Sequence, residues 1–405
     1  MTAKEQLASA VLSAIEAARE TILAVGDDIH AHPELGLEEH YAVDLLTSTI
    51  ASFGFEVERP VGGIDTAFVA RKRGKGEGPR VAFLAEYDAL PGLGHGCGHN
   101  LIASSNLAAA IGAGAVIDQL CGEVLLVGTP AEENAGGKVV MIANGAFDDV
   151  DVALSSHHGG HETVLPTSSP DGTCLAATGR RYIFHGRTAH AAGEPEQGIN
   201  ALNAVILLFN GIDAMRQHVT PDVRMHGIVT DGGQAVNVVP DYAAAEFLFR
   251  AASREGVDAL LQRGDTIARA AAEMTGARLE IDDSAVGYDD MRPNYALSQL
   301  VRDQLATVGL AETERPPASG PGAYSTDLGN VSRKMPTVGL TFAISEVPIN
   351  GHSKEVVEGS ISAMGRENAL RTGKALALAA VELLADPERY AAVRAEFEQT
   401  SAVAS

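Results

Sequence analysis

The chain has 405 residues, 45% of them apolar and 20% charged, enough material for two or three buried cores in a globular protein. Its formal charge of −23 is spread along the sequence without an acidic tail, which argues against nucleic acid or anionic membrane as a partner, since both attract basic surfaces. Three cysteines at spacings that suggest no disulfide framework, and the absence of tryptophan, point to a reduced, cytoplasmic protein without an obvious stacking surface for bases or sugars.

Read in chain order, MTAKEQLASAVLSAIEAARE places Leu7, Val11, Leu12, Ile15 and Ile22 at helical spacing with charges between them. It is expected to be neither a signal peptide nor a membrane span. Strand-like runs then alternate with helical ones: VAFLA at 81–85, a helix-compatible LIASSNLAAAIGAGAVI from Leu101, EVLLVGT from Glu123 and DVALSS from Asp151. This alternation predicts an α/β fold with a mostly parallel central sheet. In such sheets ligands gather beyond the carboxyl ends of strands, where EYDALPGLGHGCGHN, PAEEN and HHGG stand. Near residue 173 the pattern changes to a strand ending about Phe184, a helix in NALNAVILLFNGIDAMRQHV, strands in RMHGIVT and AAAEFLFRA, a second amphipathic helix from Ser253 and a last strand in ARLEIDD. The β-α-β-β-α-β order predicts an inserted ferredoxin-like α+β module. After about 290 the α/β character returns, with PTVGLTFAI as a strand and NALRTGKALALAAVELLAD as a closing helix. The expected organisation is a catalytic domain in two parts, 1–173 and 289–405, with an inserted domain at 174–288.

GLGHGCGHN, residues 92–100, places His95, Cys97 and His99 at i, i+2 and i+4, which on an extended segment would point to one side. A decorated glycine turn is the plainer alternative. Glu132 and Glu133 follow an apolar strand; adjacent residues diverge, so one can ligate a metal while the other faces a bound water, although a surface acidic pair is the commoner use of such a dipeptide. His157, His158 and His352 are weak signals singly. Together with Cys97, His99 and Glu133 they make a set of nitrogen, sulfur and oxygen donors suited to zinc and related transition ions rather than magnesium. With one of His157 and His158 as a ligand, five donors exceed one closed tetrahedral site, so two ions are expected. A water activated there and relieved of its proton by Glu132 describes amide hydrolysis.

These residues resemble those of the aminoacylase and dipeptidase family of dinuclear metallohydrolases, in its branch of β-alanyl-lysine type dipeptidases and p-aminobenzoyl-glutamate hydrolases. The resemblance runs in order through YDALPGLGHGCGHNLIA at 87–103, GTPAEENAGGK at 128–138, AHAAGEPEQGINAL at 189–202, GGQAVNVVPD at 232–241 and STDLGNVS at 325–332. It implies a zinc-peptidase-like catalytic domain with an inserted lid and dimerisation domain, and a homodimer or higher homo-oligomer. It implies two divalent ions, zinc or manganese, with cobalt also possible, held by Cys97, His99, Glu133, His157 and His352, with Cys97 bridging. It implies Glu132 as general base, Asp88 as the carboxylate orienting a ligand or bound water, His190 as oxyanion stabiliser, often reaching the partner subunit's site, and Asn237 and Arg250 as holders of a substrate carboxylate. The substrate would be a small-molecule amide: an N-acyl amino acid, an aryl-amide conjugate or an unusual dipeptide.

Several readings stay open at this level. His95 is an extra donor candidate, expected behind the ligands or in the pocket wall, and His158 competes with His157 for the ligand role. Gly193, Glu194, Pro195 and Glu196 stand where relatives carry a bulky aromatic: either an acidic rim that would disfavour acidic substrates, or simply solvated residues. Hydrolytic deamination of a small aromatic compound and a non-catalytic metal-binding regulator are the rival functions. No GxSxG elbow, P-loop or complete dinucleotide fingerprint occurs.

Overall fold

The computed structural model describes residues 1–165, 174–314 and 324–403. The chain divides into two compact units, one of Met1–Thr173, Met291–Ser319 and Thr326–Ser405, the other of Cys174–Asp290 with Gly320–Ser325.

The first unit opens with α1 (Ala3–Ala17), α2 (Arg19–Ala31) and α3 (His40–Ser52), so the N-terminal helical pattern is two helices with a break at Ala18 before the third. There follow β1 (Glu56–Glu58), β2 (Phe68–Arg73), β3 (Arg80–Ala85), α4 (His99–Gly114), β4 (Glu123–Gly128), α5 (Gly137–Ala143) and β5 (Val152–His158). Its six strands are ordered β1-β2-β4-β3-β5-β10, where β10 is the returning Thr337–Phe342. The β4-β3, β3-β5 and β5-β10 pairs are parallel, and β1 and β2 add an antiparallel edge. Val81, Phe83, Val124, Leu126, Val152 and Leu154 are all at most 1% exposed, as expected of strands covered on both faces.

Every residue of α4 is buried, and residues 99–119 are apolar enough to cross a membrane by length and composition. Here 94% of the apolar window is buried inside the unit, which makes it a core helix. Its alanine-rich surface lets neighbouring helices approach closely. A Cβ at Gly373 would lie 2.5 Å from the Ser105 carbonyl oxygen and 2.7 Å from Ala108 Cβ, so only glycine fits there.

The second unit runs β6 (Ala176–His185), α6 (Ala201–Met215), β7 (Arg224–Asp231), β8 (Tyr242–Ala251), α7 (Arg254–Thr275) and β9 (Arg278–Asp282). All its strand pairs are antiparallel, in the order β7-β8-β6-β9, the ferredoxin-like arrangement. The two helices bury one face: Tyr182, Phe184, Phe247 and Phe249 pack with Leu208, Ile212, Leu260 and Leu261. On β8 these alternate with outward-facing Glu246, Leu248 and Arg250, which is the period of two that a half-buried strand requires.

The chain returns through α8 (Tyr295–Leu305), α9 (Leu328–Lys334), β10, α10 (Lys354–Gly359) and α11 (Ala363–Ala385). The expected closing helix is not the last element, because α12 (Pro387–Val403) follows it. Proline at the start of α12 cannot continue α11 and disfavours the helical conformation at Asp386, so the helix stops and restarts.

Phe83 lies on the central strand with no exposed surface. Phe83→Ala is expected to lower unfolding free energy by about 3–5 kcal/mol in denaturant titrations, and an unchanged midpoint would contradict this account of the core.

Candidate active site

β3 and β4 pair in parallel with Ala85 opposite Gly128, so the segments leaving their carboxyl ends emerge side by side. The first carries Glu86, Asp88, His95, Cys97 and His99; the second carries Glu132 and Glu133. The glycine-rich segment is a series of turns rather than the extended stretch expected from its spacing. Gly92, Gly94 and Gly98 take φ values of 70°, 71° and 67°, a left-handed geometry that glycine adopts freely, and His99 already belongs to α4. Cys97 and His99 therefore converge while His95 turns away: it is buried, and its Nε2 lies 3.0 Å from the Ile29 carbonyl oxygen.

The donor atoms of Cys97, His99 and His157 lie within 4.8 Å of one another, and so do those of Cys97, Glu133 and His352 and those of His99, Glu132 and Glu133. Cys97 is common to the first two groups. His157 Nε2 is 3.4 Å from Cys97 Sγ, and its Nδ1 is held 2.9 Å from the His158 carbonyl oxygen. His158 enters no such group among the described residues. His352 Nε2 is 3.3 Å from Glu133 Oε1. The buried atoms His99 Nε2 and Glu133 Oε1, 3.7 Å apart, have no hydrogen-bond partner. Unsatisfied buried polar atoms are costly, and a convergent thiol, imidazole and carboxylate set is what a zinc-like cation would satisfy.

Asp88 and three further charged groups brace this cluster. Asp88, 1% exposed, lies 2.9 Å through Oδ1 from His99 Nδ1, and its Oδ2 accepts the Glu133 amide at 3.0 Å. Burial opposes the charge of Asp88, yet His99 holds its carboxyl below the usual range. His99 is likewise raised well above the ordinary imidazole range by Asp88 and Cys97, against burial. Burial pushes the Cys97 thiol up to about 12 and, with Asp327 and Glu86, raises Glu132 well above the ordinary carboxylate range. Behind them Lys138, fully buried, pairs with Glu86 at 2.7 Å and Asp327 at 2.6 Å, and its own amide donates to Asp327 at 3.0 Å. Sequence patterning assigns no role to Glu86, Lys138 or Asp327, which stand as ordinary charged positions until the fold buries them.

In the second unit, His190 and Asn237 are brought together through the backbone: the Ala191 amide donates to the Asn237 carbonyl at 3.1 Å, and His190 bridges Val238. His190 is exposed, and its Nδ1 accepts from the Ala192 and Gly193 amides at 3.2 and 3.0 Å. Arg250 stands apart from them on β8, half-buried, donating to Ser325 Oγ at 2.7 Å and forming no ion pair among the described residues.

Residues 176–275 match the peptidase dimerisation domain model. Over its length the chain is 35% identical to the Xaa-Arg dipeptidase of Mus musculus, covering 95% of this chain and 90% of that protein. It is 36% identical to one of the subunits of the p-aminobenzoyl-glutamate hydrolase of Escherichia coli (strain K12), covering 74% of this chain and 65% of that one. A solved Bacillus subtilis structure, described as a dinuclear metal-binding peptidase of the M20 family, superposes with a TM-score of 0.69 over 91% of this chain and 99% of that one, at 19% identity, a likeness of fold. Fold and relatives together define a hydrolase of the amidohydrolase and dipeptidase class. The chain belongs to the M20 peptidase family.

Removing one member of a buried ionic cluster strands the others. Lys138→Met is expected to destabilise the metal-free protein by about 3–5 kcal/mol in denaturant titrations, and Lys138→Met combined with Asp327→Leu to recover part of that loss. Equal stability of Lys138→Met and the parent would show that the cluster carries no such load.

Proposed function

We propose that the chain hydrolyses the amide bond of a small dipeptide-like substrate, with Cys97, His99, Glu133, His157 and His352 holding two divalent ions, zinc or manganese. The carrying observation is the convergence of overlapping donor groups on Cys97 and Glu133, around buried atoms without a hydrogen-bond partner. Ions bound there would supply Lewis-acid polarisation of the substrate carbonyl and a lowered pKa for water. The 3.4 Å approach to Cys97 favours His157 over His158 as the ligand. Asp88 takes His99 Nδ1–H, which leaves Nε2 as the free donor and fixes the ring. Glu132, in reach of His99 and Glu133, accepts the attacking water's proton on its carboxylate and delivers it to the departing nitrogen. Burial keeps this carboxylate's proton affinity high, as a group that both takes and returns a proton requires.

On the second unit, we assign a substrate carboxylate to Arg250, whose guanidinium meets no acidic partner among the described residues, and to Asn237, and the oxyanion to His190. The same unit is assigned the homodimer contact, in keeping with the matched dimerisation domain. A net charge of −23 and exposed Glu194 and Glu196 beside the His190 turn favour a substrate with a basic residue over a glutamate conjugate. The Xaa-Arg dipeptidase likeness over most of both chains supports the same choice. A reducing cytoplasm suits the site, since Cys97 serves as a ligand only while unoxidised.

Metal-stripped protein incubated with Xaa-Arg, Xaa-Lys, N-acyl amino acid and aminobenzoyl-glutamate substrates, before and after zinc or manganese is restored, gives the direct test by mass spectrometry. Release of a free basic amino acid only after metal returns is expected. Ammonia as the sole small product would instead select deamination, and turnover indifferent to chelation would overturn the metal reading. Glu132→Gln is expected to lower kcat at least about 100-fold with metal content unchanged; parental turnover in that variant would remove Glu132 from the mechanism.

A further inference from the structure

We propose that Glu39 is a positioning residue for the acidic turn bearing Glu132 and Glu133, acting through the amide of Ala131; the inference rests on the hydrolytic reading above. Glu39 has no exposed surface. Its Oε1 accepts the Ala131 amide at 2.8 Å and its Oε2 accepts the Thr66 hydroxyl at 2.7 Å. Thr66 is tied in turn to the segment carrying Asp88, because the Tyr87 hydroxyl donates to the Thr66 carbonyl at 2.6 Å.

The turn after β4 needs such a hold. Ala131 has a φ of 59°, a left-handed conformation unfavourable for any residue with a Cβ, and its carbonyl accepts from the Ala135 and Gly137 amides to close the turn. The amide of Ala131 goes to Glu39 and that of Glu133 to Asp88, so Glu132 is the one residue between two pinned backbone positions. Releasing the first pin frees the backbone that aims Glu132 while leaving every donor residue in the chain.

Helix capping does not account for Glu39. It occupies the N-cap of α3, where a carboxylate ordinarily accepts the first free amides, but its side chain makes no cap hydrogen bond. Glu34 takes that duty, accepting the Tyr41 and Ala42 amides at 2.8 and 3.0 Å. Glu39 forms no ion pair among the described residues, although burying an unpaired carboxylate is costly. Burial, with a further push from the Asp88 charge, raises it to about 7, so glutamine, which keeps the acceptor for the Ala131 amide and can donate to a Thr66 hydroxyl able to accept as well as donate, is the faithful neutral substitute.

Four variants, Glu39→Gln, Glu39→Asp, Thr66→Val and Glu34→Ala, test this beside Glu132→Gln, by steady-state kinetics and by amide hydrogen exchange of segment 129–138 in the metal-free protein. Glu39→Asp is too short to reach Ala131 and is expected to lower kcat about 100-fold with KM within about twofold, and to speed exchange in the segment. Glu39→Gln should restore both. Thr66→Val loosens the carboxylate without deleting it, keeps the question answerable should Glu39→Asp fail to fold, and should lower kcat about tenfold with faster exchange. Glu34→Ala should lower the melting temperature at parental kcat. Parental kcat in a folded Glu39→Asp or in Thr66→Val, a loss of kcat without faster exchange, or a Glu39→Gln as impaired as the aspartate variant overturns the proposal. Those results with Glu132→Gln inactive leave the hydrolytic reading standing, whereas an active Glu132→Gln removes that reading itself.

Discussion

Asp88 is the constraint on which the candidate site depends, because its two oxygens fasten different parts of the fold together. One is within 2.9 Å of the His99 imidazole at the start of α4, and the other accepts the Glu133 amide beyond β4. Parallel pairing makes this possible: β3 and β4 run in register to Ala85 and Gly128, so a carboxylate three residues past one strand end meets an amide five past the other. A hairpin would have sent the two segments to opposite ends of the sheet. The parallel sheet is therefore the device that lets two distant stretches of sequence share one hydrogen-bonding residue.

Such a site concentrates buried charge, and the remaining structure is arranged to tolerate it. Lys138 answers Glu86 and Asp327 from inside the fold, while Glu86 also comes within 3.6 Å of His99 Nε2. An uncompensated carboxylate at such depth would be protonated or would unfold its surroundings. The offset comes from packing: α4 and α11 approach through alanine and glycine, and four parallel strands bury both faces, so the apolar interior is dense and stiff. Stiffness is also what holds polar atoms near one another in the absence of a direct bond between them.

The fold class was legible because its signals are local. VAFLA, EVLLVGT and DVALSS are apolar runs of strand length, and in the second unit AAAEFLFRA alternates in part while the helices repeat near 3.6. FVARKR, the antiparallel strand β2, carries no clear strand signal because its second half is charged, yet Arg71 reaches Glu123 on the neighbouring strand at 2.5 Å. At the site, Cys97, His99, Glu132 and Glu133 stood out by residue type and by position after strands, and the structure brings them together. The expected extended presentation of His95, Cys97 and His99 fails because three glycines turn the backbone, a choice that spacing alone does not reveal. Glu39, Glu86, Lys138 and Asp327 were silent for a different reason: each is an ordinary charged residue until the fold removes it from water, and burial is a tertiary fact.

Backbone strain follows the same geography. Among the described residues, the non-glycine positions with left-handed φ are Leu37, Ala131 and His352. His352 is itself in a donor group, Ala131 immediately precedes Glu132, and Leu37 lies in the segment between Glu34 and Glu39. Leu37 and Ala131 are neighbours through Gly36, where a Cβ would stand 2.8 Å from Ala131 Cα. Each such conformation costs about 1–3 kcal/mol and persists only where its surroundings over-determine it. Strain scattered at random would be removed by substitution to glycine or by a different turn; strain at a donor residue and at the turn leading into Glu132 indicates that the position of the side chains matters more than the comfort of the backbone. At the Ala131 turn the buried carboxylates supply the over-determination, since Glu39 fixes the Ala131 amide and Asp88 that of Glu133.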